Sequence, residues 1–290
     1  MRSRQFLRAL LTGAGIGLVL LVAWLLLPPG PSEPEQQLPP EFNPADFVKA
    51  RPQLDAPYVV TDYEVVDAML AMARVRPNDV VVDLGSGDGR ILIAAARSHG
   101  ARGFGVDIDP IRIRESNANA RAAGVAHRVS FRQQDLFRTP LRDADVLTLY
   151  LSEEINARLR PRILSEMRPG TRVVSHDFGM GDWAPDQRQQ IGTATINMWI
   201  VPARVAGTWR LEAGGGGGTL QLEQSYQQVE GTMTGAGGET ARIAQGRVAG
   251  DVIRFVTHLG GRRRAFEGRI EGDRIVSTNP RDRWTATRTG

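Results

Sequence analysis

The chain has 290 residues, 41% of them hydrophobic, and its 36 lysines plus arginines against 32 acids give a net charge of +4. That is enough chain for one large or two small domains with real cores. It contains no cysteine, which excludes disulfides, thiolate metal sites and cysteine catalysis. Its basic residues are interspersed with acids, and no run longer than Arg262-Arg263-Arg264 reads as a nucleic-acid track, so no nucleic-acid partner is expected.

Residues 1–27 read as an N-terminal transmembrane anchor. Arg2, Arg4 and Arg8 precede an uncharged run from Ala9 to Leu27, long enough for a bilayer core. No small-x-small cleavage site precedes Pro28, which favours an uncleaved anchor over a signal peptide. Residues 28–46 follow as a proline- and glutamate-rich linker that cannot build a core and favours extended chain.

A first globular domain is expected over 47–202. Asp62 to Val75 has the apolar spacing of a helix, with Val65, Val66, Met69, Leu70 and Met72 on one face. Then comes Val80-Val81-Val82-Asp83-Leu84-Gly85-Ser86-Gly87-Asp88-Gly89-Arg90, a buried-type strand ending in an acid, a glycine-rich turn and the start of helix 91–99. Glycines there allow backbone angles that side chains forbid and let a ligand lie against the main chain. The spacing is not the G-x-G-x-x-G of dinucleotide sites, since the third glycine is one residue early and Asp88 sits inside the turn. A pyrophosphate would be repelled by that carboxylate.

A second acid, Asp107, ends the next strand, 102–107. A helix over Pro110–Ala123 follows, with Pro110 suited to a first turn and Gly124 to a left-handed cap. Further strands are expected at Val129–Gln133, Asp145–Leu151, Arg172–Asp177 and Thr195–Val201, and a helix over Glu153–Met167 is expected to break near Pro161. Strands alternating with helices predict a parallel, doubly wound α/β sheet. A second module is expected over 207–290, opening at Gly207-Thr208-Trp209 and passing through a flexible glycine run, 214–218. Alternating stretches at 219–223, 227–232, 243–248, 252–257, 264–270, 274–277 and 284–288 predict a small all-β antiparallel barrel or sandwich.

The strand-acid-glycine turn with Asp107 after it resembles the class I (seven-strand) methyltransferases that use S-adenosyl-L-methionine (SAM), a Rossmann-like fold. The resemblance implies that Asp83, Leu84, Gly85, Ser86, Gly87 and Gly89 hold the methionine part of SAM. It also implies that Asp107 and Ile108 meet the ribose, and Asp135 and Leu136 the adenine. The chain reads Tyr150-Leu151-Ser152-Glu153 at the end of its fourth strand, not the Asn/Asp-Pro-Pro-Tyr of enzymes that methylate amide or exocyclic base nitrogens.

A wider set of motifs covers about residues 58–202. Pro57-Tyr58-Val59-x-Thr61, Val65-Val66, the octet DLGSGDGR, Arg172-Val173-Val174-Ser175, Trp183-x-Pro185 and Trp199 together resemble the membrane-anchored mitochondrial lysine methyltransferases. Those enzymes modify the ATP synthase c-subunit and the adenine nucleotide translocase, and bacterial relatives of unknown substrate are equally compatible with the pattern. This implies methylation of a protein lysine, on a protein substrate that can be membrane-embedded. Tyr58 and Tyr150 then line the acceptor pocket, and Glu153 or Glu154 steers the ammonium or accepts its proton. His176-Asp177 reads as a structural strand-end pair, and no histidine spacing suggests a metal.

Localisation carries a conflict. The positive-inside rule places everything after Leu27 outside the cytoplasm, whereas SAM supply places it inside. Two alternatives stay beside lysine methylation: transfer to a small molecule or lipid, and a non-catalytic envelope protein that binds through its β-module.

Overall fold

Residues 58–214 and 216–289 are described by a computed structural model of the protein. The anchor read at 1–27, the linker at 28–46 and the start of the first domain lie outside these described residues. Among the described residues no helix is long and apolar enough to cross a membrane.

Strands β1 (Val80–Leu84), β2 (Arg102–Asp107), β3 (Val129–Gln133), β4 (Val146–Leu149) and β5 (Arg172–His176) pair in parallel. A hairpin of β6 (Gln187–Ile191) and β7 (Ala194–Ile200) completes the sheet, with β7 antiparallel to β5, in the order β3-β2-β1-β4-β5-β7-β6. β1 and β4 are buried on both faces, which is why each reads as an unbroken apolar run rather than an alternating one. Strand β6 was not visible in the sequence, because QRQQI is polar and mostly exposed at the sheet's edge.

One face is covered by α1 (Tyr63–Met72), α2 (Arg90–His99) and α3 (Pro110–Ala122), whose apolar residues pack on Val81, Val146 and Val174. Asp109 caps α3 by accepting from Ile111 N at 2.8 Å, with Pro110 next to it. The other face carries α4 (Glu153–Glu166), capped by Ser152 Oγ on Ile155 N at 3.3 Å. The expected break at Pro161 does not occur; α4 runs through it. Buried Leu159 and Ile163 hold the helix on both sides of the proline. Arg162 ties it to Phe137 O at 2.5 Å and Thr139 O at 2.7 Å, offsetting the lost backbone bond. No helix joins β5 to β6. In its place fully buried Trp183 and Trp199 fill that face.

The second module is a closed barrel rather than a sandwich. Its strands are β8 (Gly207–Ala213), β9 (Gly216–Ser225), β10 (Gln228–Gly235), β12 (Ala244–Ala249), β13 (Val252–Leu259), β14 (Arg262–Glu271), β15 (Arg274–Ser277) and β16 (Trp284–Arg288). The β9–β10 pairing closes the ring, and the short β11 (Thr240–Arg242) pairs antiparallel with the second half of β10. Trp209, Phe255, Phe266 and Trp284 fill the interior, with the two phenylalanine rings stacked 4.7 Å apart. From Gly216 onward the glycines are strand rather than the flexible run expected. Gly216–Gly218 begin β9, and a Cβ on Gly218 would lie 2.4 Å from Thr234 O, so the close strand approach requires glycine.

Candidate active site

The carboxyl ends of β1, β2 and β4 open into one cleft, as expected at the switch point of a doubly wound sheet. Asp83, near the end of β1, is buried. Its Oδ1 accepts from Thr148 Oγ1 at 2.6 Å, while Oδ2 has no partner among the described residues. Burial pushes the Asp83 carboxyl up to about 7; Asp107 and Asp88 add to the shift and the Thr148 bond opposes it. Ser86 Oγ, also buried at the cleft, is likewise unpartnered. Buried polar atoms without partners are costly. Two of them on one cleft wall fit a ligand that brings a cation and hydrogen-bonding groups.

The glycine turn is pinned to β2. Gly85 N and Ser86 N both donate to Val106 O at 2.9 Å, and Gly87 N donates to Asp107 Oδ2 at 3.0 Å. Asp107 Oδ1 accepts from Asp109 N at 2.9 Å, so its oxygens keep further lone pairs for hydroxyl donors. Gly87 has φ +52, and a Cβ there would sit 2.5 Å from the Tyr58 ring, so the loop needs glycine both for its angle and for its roof. Ile108 is exposed on the same rim, and Asp135 and Leu136 close the far end. Asp135 Oδ1 accepts from Phe137 N at 2.8 Å and caps the short 3-10 turn Leu136–Arg138.

Two sequence-read cofactor residues sit elsewhere. Leu84 is fully buried in the core behind the cleft and does not line it, because alternate side chains of a strand point to opposite faces. Gly89 serves as the left-handed N-cap of α2, with a virtual Cβ 2.6 Å from Phe131, and does not line the cleft either.

The roof is the extended segment Tyr58–Thr61. Arg90 grips it by donating to Thr61 O at 2.7 Å while held by Asp88 at 2.5 Å, and the Arg112 guanidinium lies 4.4 Å over the Tyr58 ring. Burial works against Asp88, but its bonds from Arg90 keep its carboxyl below the ordinary value. The acid that argued against a pyrophosphate is therefore half of an ion pair that locks the roof. Tyr58 has its phenol pushed up by burial and by Asp88, against the Arg112 bond.

Tyr150, after β4, lines the cleft and stacks on His176 at 3.9 Å and on Phe178 at 6.3 Å. Burial raises its phenol, and the charges of Asp177 and Asp62 raise it further. Both tyrosines thus stay protonated near neutrality. His176 is buried, with Nδ1 3.2 Å from Thr61 Oγ1 and Nε2 3.5 Å from Asp177 Oδ2. Burial lowers its value despite Asp177 and Asp62, leaving it neutral at pH 7. Asp177 adopts φ +60 and joins β7 through Thr195, the position where β5 turns toward Phe178.

Glu153 is brought to a different place. It is exposed in the first turn of α4, with Oε1 3.6 Å from a virtual Cβ on Gly179, and is not among the cleft residues. Helix N-termini favour such acids for their own reasons. Thr61, Asp62, Arg90, Arg112, Asp177 and Phe178 were not picked out from sequence as site residues, although Thr61 and Arg90 stood inside recognised motifs and Asp177 was read as half of a structural strand-end pair. Among the described residues no group of acids or histidines is arranged to hold a metal.

Several known proteins are similar to this chain. A family model described as "ANTKMT methyltransferase domain" matches residues 83–187. A protein-lysine N-methyltransferase of Saccharolobus islandicus (strain REY15A) is 40% identical over 142 residues, 49% of this chain and 88% of that protein. The adenine nucleotide translocase lysine N-methyltransferase of Mus musculus is 30% identical over 195 residues, 67% of this chain and 77% of that protein. Among solved structures, an RNA methyltransferase from Salinibacter ruber in complex with S-adenosyl-L-homocysteine is 50% identical, covering 51% of this chain and 96% of that one, with a TM-score of 0.50. The chain belongs to the family of SAM-dependent protein-lysine methyltransferases that these relatives represent.

Proposed function

We propose that the protein methylates the ε-amine of a lysine carried on an apolar, membrane-associated protein segment, and that residues 1–27 hold it at that membrane. One observation carries this reading. The exposed large hydrophobic residues of the described chain are Tyr58, Val59, Val60, Tyr63, Ile108 and Phe178, and they gather at the cleft mouth. Four line the cleft itself; Tyr63 packs under Arg90 and Phe178 stacks toward Tyr150, both of which line it. Clustered exposed apolar surface marks an interaction site, and here it surrounds the place of reaction.

The residues present fit SAM. In this reading Asp83 Oδ2 takes the cationic amino group, the unpartnered Ser86 Oγ donates to the carboxylate end beside the glycine turn, Asp107 takes ribose hydroxyls, and Ile108, Asp135 and Leu136 flank the adenine. Bound SAM supplies a sulfonium-activated methyl group. The faces of Tyr58 and Tyr150 suit a cationic donor. Asp62 and Asp177, rather than Glu153, draw the lysine ammonium to the mouth. Leu151 and Ile155 line the wall beside Tyr150, and such apolar surroundings favour the neutral, nucleophilic amine.

The Asp83 assignment has a pH consequence. With its carboxyl at about 7 in the free protein, the ionised form that pairs with a cation is the minor one in acid. SAM affinity is therefore expected to fall about tenfold between about pH 8 and about pH 6, which calorimetry across that range would read. An affinity flat through neutrality would remove Asp83 from the role.

The function itself is tested by radiolabelled methyl transfer from SAM to total membranes, soluble protein and RNA. Gly85→Arg is the control, since Gly85 has φ +77 and a Cβ there would already touch Leu151 at 3.0 Å. Label on lysine of a membrane protein, absent with the control, is the expected result. Label confined to RNA or lipid would overturn the lysine reading.

A further inference from the structure

Among the described residues the barrel contributes nothing to the lining of the cleft, yet it grips the segment that leads away from the acceptor mouth. From Asp177 to Asp186 the chain has no helix or strand to hold it. Its first half is tied to α4: Asn156 Nδ2 donates to Phe178 O at 3.4 Å and to Gly179 O at 3.1 Å, and Arg160 donates to Met180 O at 2.6 Å. Its second half is held by the β9–β10 turn of the barrel, Tyr226-Gln227.

Gln227 is buried and uses both ends of its amide there. Oε1 accepts from Trp183 Nε1 at 2.9 Å and Nε2 donates to Ala184 O at 2.8 Å. Tyr226 stacks on Trp183 at 5.8 Å, and its hydroxyl donates to Asp182 Oδ2 at 2.9 Å. Arg160, paired with Asp182, lies 5.4 Å over the Tyr226 ring, and Arg247 pairs with Asp186. Tyr226 itself holds φ +54, an angle side chains rarely adopt, kept in place by Gln224 Nε2 on its carbonyl at 2.7 Å. Strain of this kind persists only where the surroundings over-determine it. Asp177 carries φ +60 at the other end of the same segment.

We propose that Tyr226 and Gln227 are positioning residues for methyl transfer: through Trp183 they fix the segment that delivers Asp177 and Phe178 to the acceptor mouth. The barrel thereby sets the acceptor side of the site while the β1–β2 side, which holds SAM, is built without it. The proposal rests on reading the Tyr150–His176–Phe178 corner as the acceptor side.

The test uses the full chain with Gln227→Met, which keeps the volume and removes both hydrogen bonds, and Tyr226→Phe, which keeps the stack and removes one. Backbone amide exchange over 177–184 is expected to quicken at least about tenfold in Gln227→Met. With total membrane protein titrated as acceptor, kcat/KM is expected to fall about tenfold, while the Kd for SAM stays within about twofold. Tyr226→Phe should move the same quantities less, and it decides the matter if Gln227→Met does not fold. In a Phe178→Ala background Gln227→Met should add little, since both act through one segment. Unchanged exchange, faster exchange with unchanged kcat/KM, full additivity with Phe178→Ala, or a parallel loss of SAM affinity would each overturn the proposal. Failure of the acceptor-side reading shows separately, as Phe178→Ala alone leaving kcat/KM unchanged.

Discussion

Asp83→Asn is expected to destroy SAM binding and at the same time make the cofactor-free protein more stable at pH 8. The carboxyl is buried, with one oxygen on Thr148 and the other unpartnered among the described residues. An amide keeps the Thr148 bond but cannot pair with a cation, and leaving the charged partner unmatched costs roughly 3–5 kcal/mol, more than about a hundredfold in Kd. Stability moves the other way. The folded protein binds the Asp83 proton more tightly than the unfolded chain does, because burial lifts the group from 3.8 to about 7. Its contribution is therefore fully present below the ordinary carboxylate value and is lost as pH rises through about 7. The full loss is on the order of 4 kcal/mol. Asn is neutral throughout and escapes it. Thermal melts of both proteins at pH 5 and pH 8 should show the variant gaining on the parent as pH rises. A variant that melts lower at both pH values, with the parent's pH slope intact, would mean that the buried charge is compensated in some other way.

Gly103→Ala is expected to unfold the sheet from its middle. Gly103 faces Val81 in the parallel β1–β2 ladder, and a Cβ there would lie 1.8 Å from Val81 O, a backbone atom with nowhere to go. β1 is held on its other side by β4, so relief requires breaking the strand pair that carries Asp83 and Asp107. A cost of about 3 kcal/mol or more follows, read as a loss in denaturation midpoint together with loss of SAM binding. Gly124→Ala is the matched control. It has φ +72 but open space around its Cβ, so only the backbone term of roughly 1–2 kcal/mol applies and SAM binding should survive. Equal losses in the two variants would show that strain at Gly103 is relieved by movement of β2.

Much of the cofactor side was legible in the chain itself. An all-valine strand, an acid, three glycines at positive φ and a second acid one strand later are local signals, because turn angles and strand burial are set within a few residues. The same is true of the barrel's alternating strands and glycine turns. The tertiary structure decided what local pattern cannot carry. Leu84 and Gly89 lie inside the recognised motif yet face the core and the helix, since strand alternation and the α2 cap turn them from the cleft. Glu153 stands beside Tyr150 in the chain but on the far side of a helix start. Asp62 and Asp177, more than a hundred residues apart, meet the same aromatic stack because the start of α1 lies beside the end of β5. Closure of the barrel through β9–β10 and its hold on Trp183 through Gln227 are likewise pairings between distant segments. Their partners depend on which faces the sheet leaves uncovered: with no helix joining β5 to β6, two tryptophans and a barrel turn fill the gap, and nothing within reach of those residues in sequence announces it.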